Sequence, residues 1–200
     1  MAVHEPCPRP RRTALTAAVL AAAVLLTGCS TGGSADTGAH FVTEKGTSIG
    51  RAGAAERRGA PDVSGRTLGE SPAKLSDYRG KVVVLNIWGS WCGPCRTEAG
   101  SLERLWQANR DKDVQFLGIN TRDQDIVNAQ QFEQERGVTF PSIFDPAGTQ
   151  LLKFPPGTLD AQFLPTTLVV DRQGRLAARA FGGQSYDALE SMLQPVLAER

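Results

Sequence analysis

The sequence predicts one α/β domain built on a mixed β-sheet. Three patterns predict it: a nearly unbroken apolar, β-branched run at residues 81–88, the alternation of such runs with segments of helical periodicity, and a hairpin pattern near the C-terminal end. A continuous apolar run is typical of a central strand covered on both faces. The order strand–helix–strand–helix–strand–strand–helix then places helices against a sheet with parallel and antiparallel neighbours.

The individual elements follow from periodicity and capping residues. Strands are expected at 81–88, 114–120, 139–144, 166–171 and 175–181, and helices after residue 92, at 125–136 and after residue 185. Gly137 is expected to end the second helix and Ser185 to cap the third, which Pro195 either kinks or brings to its last turn.

Length and composition are those of one globular domain with additional segments. The chain has 200 residues, 40% hydrophobic and 22% charged, and can bury a substantial core. A formal net charge of +1 offers no field for nucleic acid, which is therefore not an expected partner. His4 and His40 are the only histidines and both precede the domain. We expect no metal ion and no cofactor.

Residues 1–28 have the pattern of an export signal. A segment with three arginines precedes the apolar run 13–26, which is too short to span a bilayer. The run ends at Leu26-Thr27-Gly28-Cys29, which resembles a bacterial lipobox whose cysteine receives the lipid. Cleavage at an ordinary small-residue site and a retained helical anchor are the alternatives. We predict lipidation of Cys29 and anchoring on the extracytoplasmic face of a bacterial membrane.

Residues 29–60 are predicted to be a flexible tether. The segment is rich in Gly, Ala and Thr, and Phe41, Val42 and Ile49 are its only large apolar residues. A hairpin belonging to the fold is the alternative for its last few residues. The folded domain is accordingly placed at 61–200.

Cys92 and Cys95 form a Cys-x-x-Cys motif that allows several explanations. Half of a zinc site would need a second ligand pair, and haem attachment would need a histidine where Arg96 stands. A structural disulfide closing so short a loop removes little entropy from the unfolded chain. A redox-active dithiol is the interpretation we favour. At a helix N-terminus Cys92 is the expected nucleophile, and Cys95, inside the first turn, the resolving thiol.

The stretch 84–98 (VLNIWGSWCGPCRTE) resembles the active-site segment of the thioredoxin superfamily, and more narrowly that of the TlpA/ResA-like membrane-tethered thiol-disulfide oxidoreductases. The similarity extends through 77–81, 137–141, 164–167 and 171–174. It implies a thioredoxin-like fold with a central mixed sheet flanked by helices. Residues 113–144 then match the strand–helix–strand insertion of this branch.

The resemblance also implies a substrate-binding surface around the cysteines. Pro165 after Leu164 matches the family's cis-proline, which faces the disulfide and helps hold substrate backbone; from the residues alone it would be an ordinary proline opening a strand. Trp91, Gly93 and Pro94 complete the expected surface.

Glu98 matches an acid beside the family's active site. We hypothesise that it relays the proton of Cys95, the alternative being a solvated first-turn glutamate favoured by the helix dipole. Asn86 stands where thioredoxin has a buried aspartate. Because asparagine cannot relay a proton as that aspartate could, Glu98 becomes the stronger candidate for this role. Gly100 departs from the proline usual in the family and is expected to loosen or bend the helix.

The direction of exchange follows from the reduction potential. Cys-Gly-Pro-Cys is the thioredoxin sequence and holds no histidine between the cysteines, which favours a disulfide reductase. A disulfide-forming oxidase is the alternative, and a thiol peroxidase or a non-catalytic binding module is less favoured. The resemblance implies disulfide-bearing protein substrates, apocytochrome c among them, and a membrane thiol electron donor.

Overall fold

A computed structural model describes Met1, residues 38–160 and residues 162–199. The strands and helices described below all lie in the unit Thr37–Arg200. The predicted signal peptide, Cys29 and the start of the predicted tether lie outside the described residues. No helix in the described ranges has both the length and the hydropathy to cross a membrane.

A seven-stranded mixed sheet forms the centre of the described chain. The strands are β1 (Val42–Thr43), β2 (Ile49–Arg51), β3 (Ser64–Arg66), β4 (Pro72–Lys74), β5 (Val82–Trp88), β6 (Val114–Thr121), β7 (Ser142–Asp145), β8 (Thr166–Val170) and β9 (Leu176–Phe181). Their order is β1-β2-β9-β8-β5-β6-β7, and β3 pairs with β4 in a separate hairpin. Strands β5, β6 and β7 run parallel, and the other pairs are antiparallel. The α/β class with a mixed sheet is therefore confirmed.

Three helices follow the predicted pattern: α1 (Gly93–Asn109), α2 (Ile126–Arg136) and α3 (Tyr186–Ala198). The Ser185 hydroxyl accepts from Ala188 N–H and caps α3, and Gly137 ends α2 at a φ of 68°. Pro195 lies inside α3, which continues to Ala198. Gly100 is exposed, and helix α1 continues through it without a break.

The central strand β5 divides the core into two layers because its side chains alternate between the faces of the sheet. Val82 and Val84 pack in a cluster with side chains of α1 and α3. Val83, Leu85 and Ile87 pack on the other face, where the β3–β4 hairpin and residues 151–164 contribute the cover. All seven residues of β5 are buried, as predicted. A third cluster surrounds the cysteines where β5 ends.

Part of the segment 29–60, which was predicted to be a flexible tether, is folded into the sheet. Strand β2 pairs with β9, so that Ile49 stands opposite Ala180, and Ile49 is buried in the core. Phe41 packs against the Arg179 guanidinium, whose carbon lies 4.7 Å from the ring centre. A glycine-containing strand of three residues has too short a pattern to be recognised, and its place is fixed by pairing with a strand far along the chain. The folded unit therefore begins well before residue 61.

Candidate active site

The two cysteines lie where the central strand meets a helix, and they form a disulfide. Cys92 and Cys95 are joined by an S–S bond of 2.04 Å, and both are nearly inaccessible. Cys92 caps α1, because its Sγ accepts a hydrogen bond from Cys95 N–H at 3.2 Å. Pro94 occupies the first turn, where the missing N–H has no helical partner to lose. The sulfur of Cys92 thus lies at the positive end of the α1 dipole.

The loop before Cys92 is held by a buried carboxylate that the sequence analysis did not single out. Asp123, in the β6–α2 connection, accepts from the Ser90 N–H at 2.8 Å and from the Ser90 hydroxyl. The Asn120 amide donates to the same carboxylate at 2.6 Å. A Cβ on Gly89 would stand 2.8 Å from the Trp91 indole nitrogen and 3.1 Å from the Thr121 carbonyl oxygen, so a larger residue there would have to displace the Trp91 ring. These contacts hold the backbone of the loop that leads from β5 to Cys92.

Trp91 is the exposed aromatic residue beside the disulfide. Its side chain is 54% exposed, and the guanidinium carbon of Arg122 lies 5.1 Å from its ring centre. Arg122 has a φ of 60°, which is uncommon for a residue other than glycine. This cation–π contact helps to hold the exposed indole, which directly precedes Cys92 in the chain.

Pro165 lies directly before β8 and has the cis peptide bond that the resemblance implies. The Leu164–Pro165 bond is cis, and the carbonyl of Pro165 accepts from Gly182 N–H at 2.8 Å. Leu164 packs against the apolar cluster that contains both cysteines. Gly183 approaches Pro94 so closely that an added Cβ would stand 3.1 Å from the Pro94 carbonyl oxygen. Because Ile87 near the end of β5 pairs with Thr166 at the start of β8, the cis-proline and the cysteines lie at the same end of the sheet.

Glu98 is buried on α1, one helical turn beyond Cys95. Only 1% of Glu98 is exposed, which excludes the solvated alternative. Its carboxylate accepts from the Asn86 amide at 3.1 Å and from Gln184 N–H at 3.1 Å, with the Thr167 hydroxyl at 3.4 Å. Burial raises the pKa of Glu98 from 4.5 to about 7, against the lowering effect of these hydrogen bonds. Glu98 can therefore gain or lose a proton near neutral pH.

A second acid with a raised pKa, Glu133, lies on α2 next to Phe132, which packs in the cluster around the cysteines. Trp88 stacks on Phe132 at 4.5 Å between ring centres and donates its indole N–H to the Ser142 hydroxyl at 3.3 Å. Ser142 also hydrogen-bonds Glu133 on α2, and burial raises the pKa of Glu133 to about 7. Glu133 was not among the predicted residues, because its position on a polar helix carries no distinguishing signal.

The described residues contain no cluster of three or more His, Cys, Asp or Glu side chains suited to holding a metal ion. The site contains a disulfide, a buried carboxylic acid, an exposed indole and a cis-proline. Such an arrangement can carry out thiol-disulfide exchange.

Fold and site together define a thioredoxin-like thiol-disulfide oxidoreductase. The chain belongs to the AhpC/TSA family, whose model matches residues 57–179. It is 30% identical over 158 residues to the thiol-disulfide oxidoreductase ResA of Geobacillus thermodenitrificans, an alignment that covers 79% of this chain and 84% of the relative. The ResA-like assignment of the sequence analysis is therefore confirmed.

Two solved structures are similar over most of the described chain. A secreted thiol-disulfide isomerase from Corynebacterium glutamicum superposes with a TM-score of 0.72 at 32% identity, covering 80% of this chain and 98% of that one. A DsbF homologue from Corynebacterium diphtheriae gives a TM-score of 0.70 at 32% identity, with coverages of 78% and 98%. These similarities confirm the thioredoxin-like fold.

Proposed function

We propose that this oxidoreductase is a disulfide reductase of exported proteins, held at the outer face of a bacterial membrane by a lipid on Cys29. The observation that carries the proposal is the Cys92–Cys95 disulfide at the N-terminus of α1. The helix dipole and the hydrogen bond that Cys95 N–H donates to Cys92 Sγ stabilise a thiolate at Cys92, and the thiolate is the attacking form of a cysteine.

The first step is attack on the client disulfide by the reduced protein. The Cys92 thiolate forms a bond to one client sulfur, and the client S–S bond breaks to release its second sulfur as a thiolate that takes up a proton. The exposed Trp91 and the backbone around Pro165 lie beside the cysteines and are suited to holding the client chain, together with Gly93, Pro94 and Leu164.

The second step closes the internal disulfide and releases the client. Cys95 loses its proton, its thiolate attacks the sulfur of Cys92, and the client leaves as a thiolate that is then protonated. Glu98 lies one turn from Cys95, and its pKa of about 7 suits it to accept that proton near neutral pH. The client gains two electrons and two protons, and the protein ends as the disulfide present in the structure.

Reduction is favoured over disulfide formation by the sequence between the cysteines. Gly93 and Pro94 are the residues that thioredoxin has there, and thioredoxin has a potential of about −270 mV, against about −120 mV for DsbA. Continued turnover needs a membrane thiol donor that reduces the Cys92–Cys95 disulfide. The client class is an exported protein with an oxidised cysteine pair, and an apocytochrome c awaiting haem attachment is the example that the resemblance implies.

Location outside the cytoplasm is supported by the N-terminal pattern and by the Corynebacterium glutamicum relative, which is described as secreted. Cys29→Ser tests the anchor: the full-length protein should fractionate with membranes, and the variant should move to the soluble extracytoplasmic fraction. Mass spectrometry of the membrane-bound form should find the lipid on Cys29.

Trapping of the client tests the proposed chemistry. Cys95→Ser should accumulate a mixed disulfide between Cys92 and client proteins in whole cells, because the resolving thiol is gone. Cys92→Ser is the matched control and should trap none. Trapping through Cys95 rather than Cys92 would contradict the assignment of roles.

A further inference from the structure

The turn at residues 182–184, between β9 and α3, lies against the active site. Gly182 N–H donates to the carbonyl oxygen of the cis-proline Pro165 at 2.8 Å. Two residues further on, Gln184 N–H donates to the carboxylate of the buried Glu98 at 3.1 Å. The steps of the proposed exchange reaction assign no part to this turn, although it supplies one of the hydrogen bonds to the proposed proton acceptor.

The side-chain amide of Gln184 holds this turn in place. Its Nε2 shares two hydrogens among the Phe181 carbonyl at 3.0 Å, the Gly182 carbonyl at 2.8 Å and the Ser48 hydroxyl at 2.9 Å. Ser48 belongs to the connection between β1 and β2. The amide therefore ties the turn both to the end of β9 and to the N-terminal hairpin. Because the backbone N–H of Gln184 is part of the turn, the same bonds fix the direction of that N–H.

The donors around the Glu98 carboxylate are neutral groups. Besides Gln184 N–H, they are the Asn86 amide on β5 at 3.1 Å and the Thr167 hydroxyl on β8 at 3.4 Å. Burial raises the pKa of Glu98, and of the three hydrogen bonds that lower it, the one from Gln184 N–H has the largest effect. That N–H therefore does most among the donors to stabilise the ionised acid, which is the form that accepts a proton.

Ionisable groups lie on the helices near Glu98 and not on the strands. Strands β5 and β8 and the turn before α3 contain no ionisable side chain. At the start of α3, Asp187 is exposed, and Tyr186 has the Arg104 guanidinium of α1 over its ring at 5.0 Å. Cys95, one turn before Glu98, is held in the disulfide and does not titrate in the oxidised protein. The titration of Glu98 can therefore be measured in the oxidised protein separately from that of the thiols.

We infer that Gln184 is a positioning residue for Glu98, because its side-chain amide holds the turn so that its own backbone N–H stays aimed at the carboxylate. The inference rests on the proposed function, in which Glu98 takes the proton of Cys95 during release of the client. It adds the residue that keeps Glu98 in the ionised form needed for that step. Through Ser48 it also connects the β1–β2 hairpin to the active site.

Infrared difference spectra of the full chain carrying Cys7→Ser and Cys29→Ser, in its oxidised form, test the inference. The carbonyl band of protonated Glu98, isolated by subtracting the spectrum of the matching Glu98→Gln protein, disappears as the acid ionises and gives its midpoint. Gln184→Met keeps the length of the side chain and removes its hydrogen bonds. The midpoint should rise by about one pH unit, as expected for the weakening of a hydrogen bond to a charged group.

Two further variants separate positioning from stability. Gln184→Ala should shift the midpoint in the same direction as Gln184→Met. Ser185→Ala is the matched control, because it removes the hydroxyl that accepts from Ala188 N–H and caps α3 but leaves the Gln184 amide in place. Ser185→Ala should lower the stability of the protein without moving the midpoint. A shift as large as that of Gln184→Met in this control would overturn the inference.

The pH profile of client release should move with the midpoint. Stopped-flow release of a peptide from Cys92 should accelerate with pH through the Glu98 midpoint in the parent, and about one unit higher in Gln184→Met. An unchanged midpoint in both Gln184 variants would overturn the inference, as would a lower midpoint, which would show that the turn excludes water rather than directing a donor. A parent profile identical to that of Glu98→Gln would instead overturn proton acceptance by Glu98 in the proposed function, whatever the infrared midpoints.

Discussion

The carboxylate of Glu98 accepts a hydrogen bond from the side-chain amide of Asn86 at 3.1 Å, inside the core and one helical turn beyond Cys95. Asn86 lies on the central strand β5, so the strand that leads to Cys92 also holds the acid. An asparagine partner adds a donor without adding a charge. The residue of β5 that hydrogen-bonds Glu98 is therefore one that does not itself ionise when Glu98 gains or loses a proton.

Glu98→Gln should slow the resolution of a mixed disulfide at Cys92 by about a hundredfold, the lower end of general acid–base contributions. The amide keeps the size and the acceptor oxygen but cannot take the proton of Cys95. Stopped-flow release of a peptide bound to Cys92 measures this step. Glu133→Gln is the matched control, because Glu133 has a similar pKa but lies on α2 rather than on α1. The Glu133→Gln variant should release the peptide at the same rate as the parent protein.

Protein stability should fall as Glu98 ionises. Because the pKa of Glu98 is about 7 in the folded state against an ordinary 4.5, the folded state binds the proton more tightly than the unfolded state. The stabilisation is fully present below about pH 4.5 and is lost as the pH rises through 7, by on the order of 3 kcal/mol. Urea unfolding of the oxidised protein from pH 4.5 to 7.5 should show a smaller decline in Glu98→Gln. Parallel curves would contradict the burial of Glu98.

Asp123→Ala should destabilise the oxidised protein by about 3 kcal/mol, because it leaves the Ser90 N–H and the Asn120 amide without their acceptor. Ser90→Ala removes only the hydroxyl bond and should have a smaller effect, about 1 kcal/mol. Denaturant unfolding measures both variants. Equal small losses would show that Asp123 does not fix the active-site loop.

Ile49→Ala should lower the free energy of unfolding by about 2 kcal/mol, since Ile49 is 4% exposed within the core. Val42→Ala, in the same hairpin but 73% exposed, should have almost no effect. A chain cut at residue 61 should be less stable than one cut at 37, because β9 would lose its β2 partner. Equal stability of the two truncated chains would indicate that residues 37–60 add nothing to the fold, as a flexible tether would.

The parts of the site that the sequence predicts are those carried by local patterns. The apolar run of β5, the cap at the start of α1 and the Cys-x-x-Cys motif lie within fifteen residues, and the resemblance supplied the cis bond at Pro165. The structure contains the Cys92–Cys95 disulfide and a cis bond before Pro165. The catalytic roles of Cys92, Cys95 and Glu98 stay predictions.

The remaining parts depend on contacts between distant segments. Asp123 reaches Ser90 across 33 residues, and Gln184 reaches Glu98 across 86, so neither pairing leaves a local signal. The burial of Glu98 could not be decided from α1 alone, because the groups that surround it belong to β5, β8 and the turn before α3. Strand β2 is likewise defined by β9 rather than by its own three residues.

The reduction potential of the Cys92–Cys95 couple tests the proposed direction of exchange most directly. The full chain carrying Cys7→Ser and Cys29→Ser has Cys92 and Cys95 as its only cysteines. It is equilibrated with dithiothreitol or glutathione buffers, and the fluorescence of Trp88 and Trp91 reports the dithiol fraction. A disulfide reductase requires a potential below about −230 mV. A potential above about −160 mV would contradict it and make the protein a disulfide-forming oxidase.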